Sequence, residues 1–231
     1  MTGVQTCALP IFRPPFVLKD AAGSLSLGVF TNITSKKKAL TVLQRELKNY
    51  KKMLIQETVS GREYRVLVLG DKILGVLQMI PPYIIGDGKK KIFMLIEEKQ
   101  EKTRKKTPKN EELRKLLKEQ GEDLESIPEK GKQVFLRKNS CLAEGGEMID
   151  VTDEINSQIA KECCRLASAC GIALAGIDLF CDNISLPIKQ QSFNFLEINS
   201  RPDLYIHYIP NIGKPRDVVR EILDYVVKKS L

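Results

Sequence analysis

GIDLF (176–180) and FLEINSRP (195–202) carry the strongest structural signal in the chain. Both are short apolar runs close in sequence, which predicts two strands forming a hairpin or lying as near neighbours. Side chains two apart on a strand leave the same face, so Glu197 and Asn199 belong together. Asp178 is mid-strand and would meet them from the neighbouring strand. Two carboxylates and an amide oxygen on one face make a hard-oxygen site suited to Mg²⁺ bridging nucleotide phosphates. The competing reading is that alternating polar residues simply face solvent, as on any half-exposed strand. Against it stands the strongly apolar character of the rest of both strands.

Two further elements lie upstream. Lys19 ends the apolar strand FVLK (16–19) and is followed by the small-residue loop AAGSLSLG (21–28). Backbone N–H groups in such a loop can cradle phosphate oxygens, with an ammonium to neutralise them. The loop does not match GxxxxGK[ST], which excludes a Walker-type site and leaves a plain turn as the alternative. The stretch LIQETVSGREYRVLVLG (54–70) runs from a strand into an acidic turn. Its backbone edge could take an adenine, with Glu57 or Glu63 accepting from ribose hydroxyls. An ordinary turn at Ser60-Gly61 explains the same residues.

Between these landmarks the pattern predicts an amphipathic helix over 35–50 and a strand over 53–56. Strands over 64–69 and 72–79 are joined by Gly70-Asp71. The segment IPPYIIGDGKKKI (80–92) reads as a loop. Residues 99–132 hold 11 Lys/Arg and 8 Asp/Glu, a mixed-charge solvated surface with a helix near 110–120. A strand over 134–137 leads into a loop over 139–153, where Thr152 or Asp153 would cap a helix over 154–170 ended by Gly171. Strands over 174–181 and 193–199 follow, then a helix over 215–229.

Composition excludes several classes. No run of about 20 apolar residues is present, so no membrane span is expected. The single histidine, His207, excludes multi-histidine metal centres. The 6 cysteines include no CxxC pair and read as reduced, mostly core thiols of a cytoplasmic protein. A net charge of +8 admits a nucleic-acid-binding module, but basic and acidic residues are interleaved, aromatics are few and Trp is absent. No nucleic-acid or membrane partner is therefore expected.

In their order along the chain these elements resemble the ATP-grasp superfamily. The nearest likeness is the synthetase module of bifunctional glutamate–cysteine ligase/glutathione synthetase, with cyanophycin synthetases and ribosomal-protein glutamate ligases sharing much of it. IPPYIIGDG (80–88), IPEKGKQVFLRKNSCLAEGGEMIDVTDEI (127–155), GIDLF and EINSRPDLYIHYIPNIGKPRDVV (197–219) carry the resemblance. The implied fold is α+β: a truncated ATP-grasp unit with a small flap subdomain (13–60) and a larger antiparallel-sheet subdomain with helices (61–231). Residues 1–11, MTGVQTCALPI, resemble translated sequencing-adapter DNA, so 1–12 are expected to be a non-native leader on a reading frame cut upstream. A genomic clone continuing a native frame through these codons would contradict that.

The resemblance implies ATP and two Mg²⁺ ions as cofactors, and a carboxylate and an amine as substrates joined through an acyl phosphate. Lys19 would contact ATP phosphates beneath a flap containing Gly23, Ser24 and Gly28. Gln56, Glu57 and Val59 would form the adenine hinge and Glu63 the ribose ligand. Asp178, Glu197 and Asn199 would hold Mg²⁺. Arg137 would lie by the γ-phosphate and substrate carboxylate. Arg65, Asn139, Gly145, Gly146 and His207 would line the substrate site. The implied reaction joins γ-glutamylcysteine to glycine.

The chain departs from the family pattern at Asp20, Ser26, Met79 and Ala143-Glu144. Those departures keep two alternatives open: a peptide or poly-amino-acid ligase of cyanophycin-synthetase type, and a nucleotide binder without catalysis. With the upstream half of the unit missing, the chain alone is expected to be inactive.

Overall fold

In a computed structural model the chain is described over residues 13–21 and 28–230. It divides between Val59 and Ser60 into two compact units.

The first unit contains β1 (Phe16–Asp20), β2 (Val29–Ile33), α1 (Lys36–Glu46) and β3 (Met53–Glu57). They form an antiparallel sheet in the order β2-β1-β3. Alternation along β1 sends Phe16 and Leu18 to one face, where they are buried with Ala39, Val42 and Leu43 of α1. Val17 and Lys19 leave the other face. Ser35 starts the helix, its hydroxyl accepting from the Lys38 N–H at 3.1 Å.

The second unit is built on β4 (Arg62–Leu69), β5 (Lys72–Ile80), β6 (Tyr83–Ile85), α2 (Ile92–Thr103), α3 (Glu111–Glu119), β7 (Gln133–Phe135), β8 (Glu147–Asp150), α4 (Ser157–Ala169), β9 (Leu174–Cys181), β10 (Phe193–Asn199) and α5 (Val218–Ser230). Its main sheet is five-stranded and antiparallel, ordered β10-β9-β4-β5-β8. The back face presents Val66, Val68, Val76, Ala175, Ile177 and Leu179 to Ile159, Cys163 and Ala167 of α4. A second core joins Ile84 and Val134 of the β6–β7 pair to Ile92, Ile96, Leu113 and Leu117 of the two charged helices. The expected antiparallel pairings of β4 with β5 and β9 with β10 are both present.

Several local expectations are corrected. The 80–92 segment is not all loop: Tyr83–Ile85 pairs with Gln133–Phe135, a partner too distant in sequence for local pattern to reveal. The expected loop over 139–153 contains β8, which extends the sheet beside β5. Residues 92–103 form a helix that runs through a stretch without an assigned element into the expected solvated surface beginning at 99, because Ile92, Leu95 and Ile96 make one buried face. Helix α4 begins at Ser157 and not near 154. Its cap is Asn156, whose Oδ1 accepts from the Gln158 N–H at 2.9 Å. The Thr152 hydroxyl is engaged instead by the Val76 N–H, at 2.8 Å. The final helix starts at Val218, since residues before it are held at the sheet: the Arg216 N–H donates to the His207 carbonyl and the Arg216 side chain to Asp150.

Cys141, Cys163, Cys164, Cys170 and Cys181 are free thiols. Burial pushes Cys163 up to about 12 and Cys181 up to about 11, so both are neutral core residues. Among the described residues no helix is long and apolar enough to cross a membrane.

Candidate functional site

The front face of the five-stranded sheet carries one row of side chains crossing every strand. Glu197 of β10 is paired with Asp178 of β9, and Asp178 with Arg65 of β4. Arg65 is paired with Leu77 of β5, and Leu77 with Asp150 of β8. Paired residues share a face, so the charged members of this row point away from α4. Glu63, two residues before Arg65, joins them.

Arg65 forks onto Asp178, with Nε to Oδ1 at 2.6 Å and Nη2 to Oδ2 at 2.9 Å. Asp178 is only 4% exposed. Burial raises its pKa from the ordinary aspartate value, Arg65 opposes the rise, and the close Glu197 carboxylate adds to it. Glu63 is likewise raised, first by burial and then by Asp178 and Glu197, while a Ser140 hydrogen bond and Arg65 oppose the rise. Burial disfavours the Arg65 charge, yet the Asp178 fork leaves its guanidinium held above the ordinary value. Asn199 Nδ2 donates to Glu197 Oε1 at 3.3 Å. The sheet thus brings Glu63, Arg65, Asp178, Glu197 and Asn199 together.

The next row explains how the chain passes over this face. Asn199, Gly176, Leu67 and Gly75 are paired in sequence across four strands. A Cβ on Gly176 would lie 2.9 Å from Pro202 Cβ, and one on Gly75 would lie 2.4 Å from His207 Nδ1. Both glycines make room for the segment leaving β10. His207 is 1% exposed, and its Nδ1 is buried without a hydrogen-bond partner. Burial and then Arg65 lower its pKa to about 4 against the opposing pull of Asp150 and Asp203, so it is neutral at physiological pH. At the sheet edge, Arg216 forks onto Asp150, with Nη2 to Oδ2 at 2.7 Å.

Other expected residues lie apart from this row. Arg137 is 4% exposed and all three of its guanidinium nitrogens are engaged: Nε donates to Glu144, Nη1 to the Leu136 carbonyl and Nη2 to the Pro108 carbonyl. Asn139 is exposed. Gly145 has φ +100°, and Gly146 packs against the Cys141 and Ile80 backbones. In the first unit, Val17 pairs with Gln56 and Lys19 with Leu54, so Lys19 and Gln56 share the face opposite α1. Asp20 alternates to the other face, next to Gly28. Glu57 ends β3 and Val59 follows it. Gly23, Ser24 and Ser26 lie outside the described residues, as do residues 1–12.

Two groups were not found by sequence reasoning. Ser140 reaches Glu63 and donates to the Met79 carbonyl at 3.2 Å. Its only signal was its place in the NS pair opening a loop. Lys99 contacts Glu147 at 2.8 Å and stands 4.5 Å over the Tyr83 ring, while the Tyr83 hydroxyl donates to Glu147. All three sit on elements that read as loop or surface.

The donor chemistry fits Mg²⁺, which binds through one or two carboxylates and completes its shell with waters and substrate phosphates. As the side chains stand, no group of three or more His, Cys, Asp or Glu among the described residues is arranged to hold a metal ion. Asp178, Glu197 and the Asn199 amide supply hard oxygens, but both Asp178 oxygens are engaged by Arg65.

No family model matches the chain. It is 32% identical over 219 residues to the glutathione biosynthesis bifunctional protein GshAB of Clostridium perfringens, covering 90% of this chain and 28% of that protein. It is 29% identical to the cyanophycin synthetase of Trichormus variabilis, covering 91% of this chain and 24% of that one. The chain therefore spans about a quarter of the length of these curated relatives. Among solved structures, the bifunctional glutathione synthetase of Pasteurella multocida superposes with a TM-score of 0.64 at 26% identity, over 96% of this chain and 32% of that one. The ATP-grasp ligase PsnB, solved with a precursor variant, Mg and ADP, gives 0.50 at 14% identity, over 94% of this chain and 47% of that one. The chain has the ATP-grasp fold and is homologous to the glutathione-synthetase-like module of GshAB and to cyanophycin synthetase.

Proposed function

We propose that this chain is part of an ATP-dependent carboxylate–amine ligase of glutathione-synthetase type, an enzyme that joins γ-glutamylcysteine to glycine. The observation that carries the reading is the Glu197–Asp178–Arg65 row on the front face of the sheet, with Glu63 and Asn199 beside it. A carboxylate is a poor electrophile. Bound Mg-ATP would supply the γ-phosphoryl group that turns it into an acyl phosphate, which the amine then attacks.

In this reading Asp178, Glu197 and Asn199 hold the metal and Glu63 binds ribose. Lys19 binds phosphate in its own unit, with Gln56, Glu57 and Val59 at the adenine edge. The side-chain direction of Asp20 supports this assignment, since its anion leaves the face opposite Lys19. Arg65 and His207 present a cation and a neutral imidazole to the substrate side, and the Asn139 and Gly145-Gly146 loop borders it.

A cyanophycin-synthetase-like substrate pair is the second reading. It is favoured by Glu144, which stands where the glutathione-type pattern has a small hydroxyl residue and engages the buried Arg137. Thermal denaturation with Mg²⁺ and a non-hydrolysable ATP analogue separates the two. A further rise in Tm with γ-glutamylcysteine, but not with a poly-amino-acid acceptor, supports the first. The reverse pattern transfers the proposal to the second, and a response to nucleotide alone favours binding without catalysis.

A further inference from the structure

Asp178 presents a difficulty for any metal-binding role. Its carboxylate is nine-tenths buried and offered to the front face, yet both oxygens already accept from one guanidinium. Around Arg65 stand three carboxylates, Asp178, Glu63 and Glu197. Arg65 is the cation that faces both Asp178 and Glu63, and its side chain keeps 27% exposure while that of Asp178 keeps 6%. Of the pair, the arginine is therefore the partner with room to leave. A cation on the Asp178 oxygens would be held close to the guanidinium, and like charges at that range repel strongly in a site with little water.

We propose that Arg65 is the resident counter-ion of Asp178 in the metal-free protein, and that Mg²⁺ binding displaces its fork from that carboxylate. Arg65 is then a positioning residue for the metal: it keeps a buried acid paired, at the expense of metal affinity. This deepens the proposed function and rests on the reading of this face as a Mg-nucleotide site. The fork's geometry matters as well as its charge, because a bidentate guanidinium engages two oxygens where an ammonium makes a single-point contact.

Arg65→Lys separates the two properties, keeping the charge while losing the fork. Titration of Mg²⁺ alone, by calorimetry and by the Mg²⁺-induced rise in Tm, is compared across wild type, Arg65→Lys, Arg65→Met and Asp178→Asn, with near-ultraviolet circular dichroism confirming the fold. The account predicts that Arg65→Lys binds Mg²⁺ more tightly by about tenfold. Arg65→Met should bind at least as tightly, with a lower Tm in the absence of metal, and Asp178→Asn should lose the response. Unchanged or weaker Mg²⁺ binding in folded Arg65→Lys overturns the inference, since Arg65 would then orient Asp178 or serve structure alone. Absence of Mg²⁺ binding in wild type and both Arg65 variants overturns it too. Mg-ATP titrated into the same samples then shows whether the nucleotide-site reading falls with it.

Discussion

His207 shows how one residue couples fold and chemistry. It lies over Gly75, faces Arg65, Asp150 and Asp203, and is kept neutral by burial with a pKa lowered from 6.5 to about 4. A histidine with its folded pKa below its unfolded one stabilises the fold above the unfolded value. That contribution is lost as pH falls from 6.5 towards 4, and amounts to ~3 kcal/mol at 1.36 kcal/mol per unit. Urea unfolding should therefore show a steeper loss of stability between these pH values in wild type than in His207→Gln; equal slopes would contradict the buried neutral state. Gly75→Ala places a methyl group in the space of the imidazole and should cost about 1–3 kcal/mol, read as a lower urea midpoint. The residue-level chemistry was partly legible in advance. Asp178, Glu197 and Asn199 followed from two-residue alternation and strand proximity. Ser140 did not, because its role depends on a fold that brings the 139–146 loop to β4.

At the scale of elements, strands with strong apolar alternation and helices with obvious apolar spacing were readable, since one face of each must be buried. The failures have specific causes. Helix α2 was hidden because Lys and Glu fill its later turns, although Ile92, Leu95 and Ile96 carried helical spacing. Strand β8 has four residues and gains its identity from β5, not from its own sequence. The start of α4 was misplaced because Thr152 is a good cap in isolation but is used by the sheet. Asn156→Ala should accordingly destabilise the protein by about 1 kcal/mol, seen in chemical denaturation, as expected for removal of a helix cap. Ile96→Ala should cost about 2–5 kcal/mol, because the second core joins β6, β7, α2 and α3 through that side chain. A negligible effect would make α2 the solvated surface that its charge suggests.

For the whole molecule, the +8 charge is spread over a sequence in which basic and acidic residues are interleaved. Among the charged side chains of the front face Asp178 is buried, with Glu63 and Glu197 beside it. Much of the positive charge is spent in pairs on the surface, such as Lys91 with Glu125 and Lys138 with Glu119, which contribute little individually. On the proposed reading, these carboxylates draw a cation and that cation carries the nucleotide. The central claim is thus Mg²⁺-dependent nucleotide binding at the Glu197–Asp178 row. Its most direct test is calorimetric titration of a non-hydrolysable ATP analogue into wild type and Glu197→Gln, each with and without Mg²⁺. The account predicts one saturable site in wild type that requires Mg²⁺ and is weakened about tenfold or more in the folded variant. Nucleotide binding that ignores both Mg²⁺ and Glu197, or no binding at all, would contradict it.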